Sequence, residues 1–173
     1  MFFSLKPISA CKHPGVAAAA LVITLVVAWQ SVGLARRDLA FTRSATEVSF
    51  WGRGDYRPDE ATRIRAGREL EELLAQAPGH PAYLGLAANY YAWQGYWAGA
   101  SLAGPDFARR AVEAQYRAQQ SRPAYRQGWE KMIGYASRAG VADSWRTLAQ
   151  RRLVQLRTGV DKPREYLLEP DAK

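Results

Sequence analysis

Hydrophobic and polar positions divide this chain unevenly. Residues 16–35, VAAAALVITLVVAWQSVGLA, carry no charged side chain, and 16 of the 20 are apolar. As a helix, 20 residues rise about 30 Å, the thickness of a bilayer's hydrocarbon core. A membrane-spanning helix is predicted here, running from Val16 through Leu25 and Trp29 to Ala35. Lys6 and Lys12 precede the run, Arg36 and Arg37 follow it directly, and Trp29 lies near the second boundary, where an indole suits the interface. A cleaved signal peptide has similar marks, with Gly33-Leu34-Ala35 as a small-x-small site. Arginines directly after that site suit an interface better than a cleavage point, which favours a single-pass anchor. Basic residues are nearly balanced across the span, so they leave its orientation open. The short segment 1–15 reads as a cytoplasmic tail and places the rest in the periplasm of a bacterium.

Beyond the span the pattern becomes helical. Arg36 to Trp51 lacks Pro and Gly, so the helix continues as a stalk until Gly52 and Gly54, and residues 36–57 read as stalk and hinge. Pro58, Asp59 and Glu60 form a helix start. Ala61, Ile64, Leu70, Leu73, Leu74 and Ala77 then recur at helical spacing, while Arg65, Arg68, Glu69 and Glu72 are assigned to the solvated side. A second helix spans Pro81 to about Trp97, and residues 98–105 read as a loop. Asp106 is expected to cap a helix from Phe107 to about Gln120. Further helices are expected from about Tyr125 to Ala139 and from Asp143 or Ser144 to about Arg157. Residues 159–173 form an irregular tail.

Helices paired between prolines raise the question of an internal repeat of about 34 residues. With Pro78 and Pro123 as closing prolines, the tetratricopeptide pattern places Ala66 and Leu70 on the second helix of a first unit. Ala88 and Tyr91 fall on the first helix of a second unit, and Ala111 and Ala118 on its second, if about 11 extra residues are carried around Gly95 to Pro105. A third unit opens with Trp129 and then departs, with Ile133 at the small position and Ala136 at the Tyr position. The expectation is all-α: one transmembrane helix followed by a degenerate tetratricopeptide-like domain over residues 58–158. An irregular helical bundle is the alternative.

Several features together resemble the VpsP-type polysaccharide biosynthesis proteins. They are the anchor, a stalk ending in Phe50 and Trp51, Ala-Pro-Gly-His-Pro at 77–81, then Tyr83, Leu84, Tyr91, Ala92, Trp93, Gly95 and Ser121-Arg122-Pro123. That resemblance implies a small inner-membrane protein working beside exopolysaccharide synthesis or export machinery in Gram-negative bacteria. It supplies no catalytic residues.

Composition narrows the chemistry further. Cys11 is the only cysteine and His13 and His80 the only histidines among 173 residues, so spacing offers no metal centre, and no cofactor is expected. No G-x-S-x-G, Walker, H-E-x-x-H or dinucleotide-binding pattern occurs. The Gly52-Arg53-Gly54 stretch follows a helix and reads as a hinge. His80 reads as a turn residue, and Glu69, Glu71 and Glu72 as one polar face rather than glycosidase carboxylates.

Charge is the more informative feature. Residues 107–157 hold eleven Lys/Arg against three acids, which equals the entire net charge of +8. Such an excess suits an anionic partner such as acidic lipid or an acidic glycan, or simply solubilises the domain. Nucleic acid is not expected, since no nucleic-acid motif is present. Arg109 and Arg110 are the candidate partner-binding cations, because positive charge near a helix start opposes the dipole. Tyr96 and Trp97, at the head of the inserted stretch, are candidates for stacking on a sugar ring or pressing on a partner or the membrane, with core packing as the alternative. Three functions follow: an adaptor contacting inner-membrane proteins of a polysaccharide assembly, a glycan-binding module, and an enzyme acting on a lipid-linked or polymeric sugar.

Overall fold

The computed structural model describes residues 14–99, 101, 103–138 and 143–158. Lys6, Cys11, Lys12, His13 and the tail 159–173 lie outside the described residues. Six helices and no strand occur among those described: α1 Pro14–Phe50, α2 Glu60–Gln76, α3 Pro81–Ala98, α4 Ala103–Ser121, α5 Arg126–Arg138 and α6 Asp143–Thr158.

Local chemistry sets the boundaries. In α1 nothing interrupts the ladder until Gly52 and Gly54, both at positive φ (72° and 56°). Asp59 caps α2 by accepting from the Thr62 amide at 2.7 Å. The helix closes where the Ala77 amide reaches Leu73 O and Pro78 follows. Pro81 opens α3 at its first position, where the missing N–H costs nothing, and Gly99 at φ 55° ends it. One boundary differs from the sequence expectation. α4 begins at Ala103 rather than Phe107, since Gly104 and Pro105 fall in a first turn whose amides need no intrahelical partner. Of residues 98–105, expected as a loop, Ala98 therefore belongs to α3 and residues 103–105 to α4.

Contacts divide the chain at Leu39/Ala40. In the first unit α1 is exposed: Val16, Leu25 and Ala35 face outward, and Trp29 is 81% exposed. The apolar window has mean hydropathy 2.0, long and apolar enough to cross a membrane and near the N-terminus, as a signal sequence also is. The second unit is the helical domain. It begins earlier than residue 58, because the last turns of α1 and the residue after them are packed rather than free: Ser44, Val48 and Trp51 are all buried.

In that unit each helix packs on its neighbours in sequence. Val48 of α1, Trp51 just after it, Ala66 and Leu70 of α2, Leu86, Ala87 and Ala88 of α3 and Ala114 of α4 form one core cluster. Val112, Tyr116, Trp129, Met132, Ala136 and Ala149 form a second, joining α4, α5 and α6. Ala88, Ala111 and Ala118 have no exposed surface, so paired backbones approach closely there. Two polarity assignments on α2 change. Ile64 is 53% exposed, on the far side from Ala66, Leu70 and Leu73. Glu69, expected on the solvated side, accepts from the buried Ser44 hydroxyl at 2.5 Å and pairs with Arg43 at 3.6 Å, because α1 returns to cover that side of α2.

Candidate functional site

Tyr90, Tyr91, Trp93, Tyr96 and Trp97 crowd the C-terminal half of α3, and their side chains part in two directions. Trp97 turns inward, its ring 5.1 Å from Trp51 and 5.5 Å from Trp93, with the Arg63 guanidinium 5.3 Å from its centre. Such an arrangement is packing with a cation–π contribution. Tyr96, edge-on to Trp93 at 5.5 Å, is 59% exposed. The pair Tyr96 and Trp97 is thus split, and only Tyr96 is presented outward.

A tight knot fixes the base of this cluster. Trp51 Nε1 and the Tyr56 hydroxyl donate to the same Glu47 oxygen, at 3.1 and 2.6 Å. Donating to a carboxylate favours the neutral phenol and raises the Tyr56 pKa. Tyr90, whose hydroxyl donates to Arg63 O at 3.3 Å, is raised chiefly by burial. Gly52 is required here, since a Cβ would enter the Trp93 ring.

Tyr96 borders a groove of about 400 Å³. Ala92 and Gly95 of α3, Gly99, Gly104, Pro105 and Ala108 around the turn into α4, and Tyr135 of α5 complete its lining. Small residues create the space: a Cβ on Gly104 would collide with the Gly99 carbonyl, so the α3–α4 turn closes only with glycine there. The walls are apolar, and the lining side chains able to hydrogen-bond are the two tyrosine hydroxyls. This site is suited to receive a side chain or a ring. Among the described residues no three His, Cys, Asp or Glu side chains gather as metal ligands would.

The basic half is less free than its composition suggests. Because α4 starts at Ala103, Arg109 lies in the second turn, not at the helix start, and contacts Asp106 at 3.4 Å and Glu113 at 3.2 Å. Arg110 is exposed, with its guanidinium 6.0 Å from the Tyr91 ring centre. Tyr91, half-buried, stacks on Phe107 at 6.5 Å. Arg117 and Arg122 donate to the carbonyls of Pro78 and Pro81 at 3.1 and 2.9 Å, pinning the α2–α3 turn to α4. Arg126 pairs with Glu130 and Arg146 with Asp143. All three acids of residues 107–157 are therefore engaged by arginines of their own helices.

The remaining repeat positions lie in the core. Ala66, Leu70, Ala88, Ala111, Ala118 and Trp129 are buried, and Trp129 Nε1 donates to Pro123 O at 2.9 Å. His80 stands at the N-cap of α3 without a side-chain cap bond, its ring 4.1 Å from that of Tyr83. Sequence reasoning passed over Gln119, which is fully buried and donates from Nε2 to Tyr125 O at 2.7 Å beneath Gly128. An amide at a helical core position facing a glycine on the next helix was the available signal. No protein-family profile, curated protein or solved structure matches this chain.

Proposed function

We propose that this chain is a single-pass inner-membrane scaffold, a tetratricopeptide-like adaptor that holds components of an exopolysaccharide synthesis or export assembly. α1 serves as an uncleaved anchor, the C-terminal domain is periplasmic, and the groove beside Tyr96 receives a partner segment by protein–protein contact. The resemblance to the VpsP-type proteins supplies the assembly. The observation that carries the binding role is the groove itself: an outward tyrosine over small residues of α3 and α4, with Tyr135 of α5 completing the lining. Consecutive-helix packing with alanines at Ala88, Ala111 and Ala118 supports the repeat reading.

Replacing Tyr96 by a photo-crosslinking phenylalanine analogue in native membranes tests this directly. Adducts with inner-membrane proteins of a polysaccharide assembly are expected. Adducts with polymer alone transfer the groove to the glycan-binding reading, and chain scission of added polymer by the purified protein transfers it to the enzyme reading. Alkaline phosphatase fused after Lys173 should be active if the domain is periplasmic, and an inactive fusion reverses the orientation.

A further inference from the structure

One arginine of the helical domain differs from the others in how its charge is met. Arg63 of α2 is half-buried, with its guanidinium 5.3 Å from the centre of the Trp97 ring. Its Nε is shut off from solvent without a hydrogen-bond partner. The terminal nitrogens, which make no hydrogen bond or ion pair among the described residues either, are not enclosed with it. Asp59, one turn earlier, is committed to the N-cap, where it accepts from the Thr62 amide at 2.7 Å. Arg122, Arg146 and Arg152 also bury Nε, but each places a terminal nitrogen on a protein oxygen, of Pro81, Asp143 and Gln155 respectively. Arg53 and Arg110 approach rings as Arg63 does, yet both are exposed, so water meets their charge. A guanidinium that has lost part of its hydration and gained only a ring face retains a preference for an anion. Its planar terminal fork matches a carboxylate bidentately.

An unbroken series of rings leads from Arg63 to the groove. Trp97 lies 5.5 Å from Trp93, and Trp93 meets Tyr96 edge-on at 5.5 Å. On α3, Trp93 and Trp97 turn toward Gly52, Trp51 and Arg63, while Ala92, Gly95 and Gly99 turn toward Gly104 and Ala108 of α4. Tyr96 is exposed between these flanks, so a segment that leaves the groove across Tyr96 arrives at Arg63. We propose that the segment received beside Tyr96 is an acidic peptide of a partner protein: an Asp or Glu carboxylate takes the Arg63 fork while a neighbouring aromatic or aliphatic side chain fills the groove. The proposal rests on the scaffold reading above and adds the chemistry of the partner. Charge complementarity selects the acid, because no carboxylate lines the groove and none pairs with Arg63. The walls select a peptide over an acidic sugar. Lining side chains offer two hydroxyls, too few for the many hydroxyls of a glycan ring, whereas an apolar side chain requires none.

The test presents the full chain in nanodiscs to a phage-displayed library of random dodecapeptides. Peptides enriched over empty discs are expected to carry Asp or Glu close to an aromatic or large aliphatic residue. A chain of net charge +8 attracts acids in any case, so Arg63 variants decide. The selected peptides should bind Arg63→Gln about tenfold more weakly, between the small effect of an exposed pair and the large one of a buried pair. Exchanging the peptide's acid for its amide should cost about as much in the parent and nothing in Arg63→Gln. Arg63→Lys keeps the charge and the ring contact without the fork, and an intermediate affinity is expected. Near-ultraviolet circular dichroism of each variant should match the parent, and Arg110→Gln should leave affinity unchanged. Equal affinity for parent and Arg63→Gln, an acid-to-amide loss of the same size in both, or no enrichment over empty discs overturns the proposal. Polygalacturonate that binds through Arg63 where no peptide does overturns it in favour of a glycan. Peptides that need Tyr96, tested as Tyr96→Ala, but not Arg63 overturn it and leave the scaffold reading standing. Absence of Tyr96 adducts in native membranes overturns the scaffold reading, so the two fail separately.

Discussion

Glycine side-chain space differs sharply between two helical positions of this domain, and the difference has opposite consequences. At Gly104 a Cβ would strike the Gly99 carbonyl, which is backbone and cannot swing away. Gly104→Ala should therefore open the α3–α4 turn, lower the melting temperature and reshape the groove beside Tyr96. At Gly134, inside α5, nothing lies within 4 Å of the added carbon. Gly134→Ala should stabilise by about 0.5–1 kcal/mol, because alanine loses less backbone entropy on entering a helix. Thermal melts of the two variants against the parent read both signs. Ala118 gives a third case at this scale. It has no exposed surface, so Ala118→Trp should overpack the α4 side of the core and cost about 1–3 kcal/mol or more.

At the scale of the element, helix ends show what the sequence made legible. The Pro58-Asp59-Glu60 start and the Pro78 stop of α2 were readable because capping and proline chemistry act within a few residues. Hydrogen bonds from Thr62, its side chain first and then its backbone amide, lower the Asp59 pKa below its ordinary 3.8. A depressed folded-state pKa contributes stability above the unfolded value, and that stability is lost as pH falls through the lower folded value. Asp59→Ala should then melt below the parent at pH 7, with the gap closing as pH drops below about 4, and Asp59→Asn should retain most of the cap. Equal melting of Asp59→Ala and parent at pH 7 would remove this cap from the account. The start of α4 was misjudged because Gly104 and Pro105 read as loop residues, yet a first turn tolerates both. Its consequence was functional, since it moved Arg109 off the helix start and into two ion pairs. Glu69 and the split of Tyr96 from Trp97 were not readable at all. Both depend on which helix returns to cover α2 and α3, a long-range fact that local periodicity does not contain.

For the molecule as a whole, packing between consecutive helices gathers two core clusters. On the repeat reading proposed above, the stability of such a domain is approximately a sum over neighbouring interfaces. α4 is the shared element: Ala114 belongs to the first cluster and Val112 with Tyr116 to the second. Trp129 is the largest side chain of the second cluster and is fully buried, with its indole N–H satisfied by Pro123 O. Trp129→Ala removes that packing and leaves a cavity, a change that costs about 3–5 kcal/mol in typical cores. Because α5 and α6 reach the rest of the domain mainly through α4, the loss should be local. Hydrogen exchange followed by mass spectrometry should show peptides of α5 and α6 losing protection first, while peptides carrying Val48, Leu70 and Ala88 keep theirs. Uniform loss across α2 to α6 would instead mean that both clusters fold as one cooperative unit. The domain would then behave as a globular bundle rather than a stack of repeats.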